Sequence, residues 1–240
     1  MKKQIYDLFP LTVLKEKIYL PSAEKEKLVK FIFQSEKNTD HIEKHERRAW
    51  LGDIRGQEFL FNNSEFAILM KLIAESIKSY TEIFHIDNNQ IDYYFQRCWA
   101  TITRKDEEIV FHDHSQSHIS FAYYLLKPEH SGDIKFRADS QNEIASGLFE
   151  NEIESGLFEY GSTKFSYKTI KKYDTRNSSA VEVEIEEDSI IMFPSKIKHS
   201  TLPSKSEKPR ISISGDICIM LKDSFGHKKL MPNFKNWKLF

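Results

Sequence analysis

The sequence predicts an α+β fold in which helices lead into a β-sandwich or barrel. Three observations carry that expectation. Apolar residues recur at helical spacing in two segments before residue 90. From Ile91 the period changes to short runs of β-branched and aromatic residues broken by polar turns, and these continue to about Leu221. The helices therefore precede the strands in the chain, which suits an α+β domain with a sandwich or barrel.

Residues 4–20 read as an edge strand with a break at a proline. The segment PSAEKEKLVKFIFQSEK then starts a helix, with Ser22 able to cap it and Glu24 and Glu26 near its positive end. Leu28, Phe31, Ile32 and, at the margin, Phe33 give it an apolar face, so its role is packing. His41 and His45 follow at i, i+4 spacing, which can grip a metal. The zinc-peptidase pattern, however, requires Glu directly after the first histidine, and Ile42 stands there; a solvated charged segment is the better reading. Residues 64–84 form the strongest helix, capped by Ser64 and apolar at Phe66, Leu69, Leu72, Ile73 and Ile77, and should pack across one face of a sheet.

The strand-like runs are 91–104, 118–126, 133–136, about 164–172, 181–185, 189–193 and 210–221. Between them NEIASGLFE (142–150) is followed at once by NEIESGLFE (151–159), a tandem copy differing only at Ala145 and Glu154. A nine-residue shift would place the copies on opposite faces of a helix or of a strand, and two copies are too few for a solenoid. The pair therefore reads as a duplicated loop insertion, either a lid over a pocket or a passive surface loop.

At 240 residues the chain fits one compact unit with a substantial core. Its expected divisions are a strand and supporting helices over 1–90, a β core over 91–221 that carries the duplicated loop, and a tail over 222–240. A net charge of −1, from 35 Lys plus Arg against 36 Asp plus Glu, offers no global attraction for nucleic acid or anionic lipid. Cys98 and Cys218 each lie in an apolar run, as buried filler in a reduced interior rather than a disulfide framework. Asp7 and Pro10 interrupt the first apolar run before it takes signal-peptide form, and no stretch approaches the ~18 apolar residues of a spanning helix. These features predict a soluble, cytoplasmic protein of undetermined oligomeric state.

The chemistry centres on FHDHSQSHISFAYYL, residues 111–125. In an extended chain side chains at i and i+2 share a face, so His112 and His114 can present imidazoles to one ion while Asp113 points away. A third candidate, His199, follows an apolar run far downstream, and imidazole suits zinc, copper, iron or nickel about equally. Arg210, eleven residues further on, offers a guanidinium fork for a carboxylate, so metal and clamp together point to an acid co-substrate. Ser212 shares a strand face with Arg210, and Tyr124 is in step with Ser120 and Ala122. His118 reads as a pocket or core residue.

HDH, YYL, GDIKF, FPSKIKH and RISIS occur here in the order and at about the spacing found in non-haem Fe(II)/2-oxoglutarate-dependent oxygenases, and residues 91–221 resemble that superfamily. Within it the chain is similar to a group of uncharacterised bacterial and phage oxygenases that begin with Leu-Phe-Pro, here Leu8, Phe9 and Pro10, and carry a Trp-Ala pair like Trp99–Ala100. The resemblance implies a double-stranded β-helix core, jelly-roll or cupin-like, with supporting N-terminal helices. It implies Fe(II) and 2-oxoglutarate as cofactors, with His112, His114 and His199 as metal ligands. Arg210, Ser212 and Tyr124 would then hold the far carboxylate of 2-oxoglutarate. The activity implied is hydroxylation of an unidentified amino-acid side chain, small metabolite or modified nucleobase, with release of succinate and CO2.

One departure stands out. The superfamily pattern is His, any residue, then Asp or Glu, and His114 occupies the carboxylate position. Three arrangements are open: His114 ligates, which is favoured; it leaves a position for water or an anion; or Asp113 bends inward. A neutral imidazole in place of a carboxylate leaves the iron with one more unit of positive charge and makes it harder to oxidise. That keeps a non-catalytic, cupin-like metal-binding or sensing protein as the alternative. A zinc hydrolase built on the three histidines would leave Arg210 without a role.

Overall fold

The computed structural model describes residues 3–5, 11–39, 49–137, 180–223 and 231–239. Helix α1 spans Ser22–Thr39, with Glu24 in its first turn and Lys37 in its last, as the helix dipole favours. The Lys25 N–H bonds the Pro21 carbonyl at 3.0 Å, so Ser22 lies inside the first turn rather than capping it. Helix α2 spans Ala67–Ile83 and is entered through a short 3-10 turn, Ser64–Phe66. Its entry is capped by Asn63, whose side chain accepts the Glu65 N–H, and not by Ser64. The buried face of α2 runs through Leu69, Ile73, Ile77 and Tyr80 at helical spacing, with Leu72 half-buried at its edge.

Nine strands are described: β1 (Leu14–Lys17), β2 (Trp50–Leu51), β3 (Ile91–Thr103), β4 (Ile119–Leu126), β5 (Ile134–Arg137), β6 (Ala180–Val183), β7 (Ser189–Pro194), β8 (Lys198–Thr201) and β9 (Arg210–Leu221). They pair antiparallel in a six-stranded sheet, β1-β7-β4-β9-β3-β2, and a three-stranded sheet, β6-β5-β8. This is the expected α+β class with a jelly-roll core. The strand expected near 164–172, the duplicated loop, His41, His45 and the Leu8-Phe9-Pro10 segment lie outside the described residues. β2 and β8 were not anticipated, because two residues and the polar tetrapeptide KHST carry no readable alternation.

The larger sheet sorts its side chains by alternation. On the outer face Ala100, Ile102, Phe121, Tyr123, Ile213 and Met192 join Leu28 and Ile32 of α1 and Leu69 and Ile73 of α2 in one cluster. The inner face presents Trp99, Thr101, Ser120, Tyr124, Ser212 and Asp216 to the space between the sheets. There Tyr124, Ile191 and Phe193 meet Ile134 and Phe136 of the smaller sheet in a second cluster. The ladder between β3 and β9 slips between Phe95 and Arg97, so Phe95 packs on the helices while Arg97 turns to the inner face. Among the described residues no helix is long and apolar enough to cross a membrane.

Candidate active site

Two distant segments are zipped together at the mouth of the inner face. His112 and His199 exchange backbone hydrogen bonds of 3.0 and 2.9 Å, the His114 N–H bonds the Ser195 carbonyl at 2.8 Å, and the Ser195 N–H bonds the His118 carbonyl at 3.1 Å. A directly opposed antiparallel pair projects both side chains to one face, and His114, two residues from His112, projects there too. One ligand atom from each of His112, His114 and His199 lies within 4.8 Å of the others. Asp113 is exposed and outside this group, and His118 is exposed with its Nδ1 accepting the Ile219 N–H at 3.1 Å. His118 is therefore not the pocket or core residue expected: it faces β9 at the rim.

Each imidazole is held from behind. The Nδ1 atoms of His112 and His199 lie 2.9 Å from the carbonyls of Val110 and Ile197, and His114 Nδ1 lies 2.5 Å from Asp216 Oδ1. Donation from Nδ1 in all three rings leaves each Nε2 with its lone pair for a metal. Burial holds His112 below the usual histidine range, and burial plus the neighbouring His112 pushes His199 down to about 3. Both are thus neutral near pH 7, the form that ligates. Three imidazole nitrogens on one side of an open cavity fit a transition-metal ion with free positions.

Arg210 is almost wholly buried, with only 1% of its surface exposed. Its Nη1 donates to the Ser131 and Gly132 carbonyls at 2.8 and 2.7 Å, and its Nη2 to the Thr103 and Thr201 hydroxyls, each at 3.1 Å. Nε has no partner. The carboxylate whose charge reaches the guanidinium, Asp133, is itself paired with Lys127 at 3.1 Å. A buried cation without a carboxylate of its own is costly, and burial accordingly lowers its pKa. Gly132 makes the arrangement possible. Its φ is +83°, and a Cβ there would stand 2.1 Å from the Leu202 carbonyl oxygen and 3.2 Å from Arg210 Nη1. That is the physical content of the GDIKF motif.

Tyr124, Ser212 and Thr101 stand directly opposite one another across β4, β9 and β3, on the inner face. Burial pushes the Tyr124 phenol up to about 12, so it remains a donor. The three hydroxyls, Arg210 and the histidines all line one cavity of about 690 Å³. A buried guanidinium with an unused N–H, in one cavity with three hydroxyls, fits a carboxylate-bearing ligand. Trp99 lies against His114 with ring centroids 5.6 Å apart, and Arg97 lies over Trp99 at 4.9 Å and pairs with Asp53 at 2.6 Å. Cys98 and Cys218 are free and buried, and burial pushes both thiols up, as inert filler.

Sequence reasoning missed Asp216, Ser120, Thr103, Thr201, Arg97 and Asp53. For Asp216 a signal was present: alternation through RISISGD places Arg210, Ser212, Ser214 and Asp216 on one face. For Arg97 one was present too, since it is in step with Trp99 and Thr101; the bulge re-aims Phe95, on its other side.

A family model described as "Putative 2OG-Fe(II) oxygenase" matches residues 97–216. No curated protein matches. Among solved structures the chain is similar to SnoK from nogalamycin biosynthesis, a non-heme alpha ketoglutarate dependent carbocyclase. That likeness has a TM-score of 0.52 and 9% identity over 86% of this chain and 79% of that one. It is also similar to HygX from Streptomyces hygroscopicus, solved with nickel and 2-oxoglutarate bound, with a TM-score of 0.50 and 12% identity over 87% of this chain and 83% of that one. An oxidoreductase of the 2OG-Fe(II) oxygenase family from Burkholderia pseudomallei matches with a TM-score of 0.34 and 11% identity, over 53% of this chain; the chain spans 46% of that protein's length.

Proposed function

Because the chain belongs to the family of 2OG-Fe(II) oxygenases, we propose that it is an Fe(II)/2-oxoglutarate-dependent dioxygenase that hydroxylates a small molecule or an amino-acid side chain. In this reading His112, His114 and His199 hold the iron through Nε2, and Arg210, Ser212 and Tyr124 hold the 2-oxoglutarate. The observation that carries it is the pairing in one cavity of three converging imidazoles with a buried guanidinium that lacks a carboxylate partner among the described residues.

The iron and keto acid, when bound, supply the oxidative chemistry: dioxygen is reduced, 2-oxoglutarate is converted to succinate and CO2, and one oxygen atom enters a substrate C–H bond. The chain's own residues bind and orient. Arg210, Ser212 and Tyr124 would hold the far carboxylate, the guanidinium by its charge and the two hydroxyls by hydrogen bonds. The backbone bonds between His112 and His199 fix the metal-binding face before any ligand arrives. Ile134, Phe193 and Tyr124 keep that end of the cavity apolar and limit water around the bound acid. The part of the cavity lined by Trp99 and the Arg97–Asp53 ion pair, further along β3 from Thr101, is the side left for substrate.

The test is succinate production by iron-loaded protein under air. Slow turnover of 2-oxoglutarate without added substrate, lost in Arg210→Ala and in His199→Ala, supports the reading. Succinate formation that is indifferent to both substitutions would contradict it.

A further inference from the structure

The three imidazoles are not backed alike. His112 and His199 direct Nδ1 at neutral backbone carbonyls, whereas His114 Nδ1 lies 2.5 Å from Asp216 Oδ1. Asp216 is 1% exposed, and its Oδ1 also accepts the Ser120 hydroxyl at 2.8 Å. Ser120 Oγ is in turn 2.9 Å from Ser195 Oγ, so with its one proton on Asp216 it accepts from Ser195. Among the described residues Asp216 has no Lys or Arg partner within ion-pair distance: Arg97 stands opposite it across the β3–β9 ladder but pairs with Asp53, and the ion-pair contact Asp216 makes is with His114. A carboxylate buried in this way needs positive charge close by. Position 216 is also rigidly set, since a Cβ on the preceding Gly215 would meet the Phe121 ring at 2.6 Å and the Arg97 carbonyl oxygen at 2.7 Å.

We propose that Asp216 is the positioning residue of the metal centre and restores, through the imidazole of His114, the negative charge that a carboxylate at position 114 would have given directly. The inference rests on the reading of His114 as a ligand. Two neutral imidazoles and one carboxylate leave a divalent ion at a net charge of +1. Three imidazoles with one carboxylate on the far nitrogen of the third reach the same total. The carboxylate also fixes the His114 tautomer, turns its ring, and raises the basicity of Nε2. The departure at His114 is then a displacement of charge by one ring and not a loss of it.

Asp216→Asn separates charge from shape, because the amide oxygen can still accept the Nδ1 hydrogen. The first probe is Ni(II) alone, titrated into the full chain. Asp216→Asn should weaken Ni(II) binding about 10–100-fold, and the Fe(III)/Fe(II) midpoint potential of the iron-loaded variant should rise. In a His114→Ala background Asp216→Asn should have no further effect on Ni(II) affinity, which a general loss of structure would not reproduce. A second readout needs no variant. In the wild-type protein loaded with Zn(II), the Nδ1 proton of His114 should resonate well downfield of those of His112 and His199, whose acceptors are carbonyls. Equal proton shifts for the three rings, or wild-type affinity and potential in Asp216→Asn, overturn the proposal while leaving His114 as a ligand. Unchanged Ni(II) binding in His114→Ala overturns the ligand reading itself.

Discussion

His112 and His199 are 87 positions apart in the chain, yet each donates its backbone N–H to the other's carbonyl and their ring centroids lie 4.3 Å apart. The metal-binding face is therefore a property of main-chain pairing between the approach to β4 and strand β8. A metal that bridges these imidazoles crosslinks the two segments and binds the folded state alone. At a Ni(II) concentration of 100 times Kd the stabilisation is about 2.7 kcal/mol, a rise in Tm on the order of 5–10 °C for a chain of this size. EDTA should reverse the rise and His199→Ala should abolish it. Equal melting temperatures with and without metal would remove the site.

Gly132 allows the loop that docks on Arg210. Gly132→Ala combines a positive φ with a Cβ placed 2.1 Å from a backbone oxygen, and should cost well over about 1–2 kcal/mol. The same variant should weaken 2-oxoglutarate binding, because the loop must move away from the guanidinium. Chemical denaturation together with calorimetric titration of the keto acid reads both effects.

Ser212 separates cofactor binding from stability more cleanly than Arg210, whose removal strands the Ser131 and Gly132 carbonyls. The Ser212→Ala protein should fold normally and bind metal as before, while its 2-oxoglutarate affinity falls about tenfold, the scale of one hydrogen bond to a charged group. Unaltered 2-oxoglutarate affinity would take Ser212 out of the cofactor site. Arg210→Lys keeps a charge but not the fork, and should bind the keto acid more weakly than Ser212→Ala does.

Phe66 tests the helical support independently of the site. It is fully buried between α1 and α2 and meets Phe31 edge-on with centroids 5.3 Å apart. Truncation to Ala should cost about 3–5 kcal/mol with Ni(II) affinity unchanged at temperatures where the variant is folded. A loss of affinity in the folded variant would show that the helices set the geometry of the histidines.

Much of this was legible in the sequence because it is local, carried by residue type, turn punctuation and period. Runs of β-branched and aromatic residues bounded by polar turns located β3, β4, β7 and β9 to within a residue or two, and the i, i+2 spacing of His112 and His114 placed them on one face. The helix faces of α1 and α2 were equally plain. What escaped depended on non-local pairing. Strand β8 exists because His199 has His112 and Phe136 beside it, and nothing in KHST announces a strand. The cap on the second helix moved from Ser64 to Asn63 through a 3-10 entry turn that propensity does not forecast. Asp216 sat on the right face of RISISGD, but its meaning depends on His114, which lies 102 positions away.

The most direct test of the account is an anaerobic titration of the protein with Fe(II) and then 2-oxoglutarate, followed in the visible spectrum. The account predicts a metal-to-ligand charge-transfer band, the signature of a keto acid chelated on iron, that is absent in Arg210→Ala and in His199→Ala. Stoichiometric iron binding with no band at saturating 2-oxoglutarate would contradict it, and would leave a protein that binds metal without the acid co-substrate.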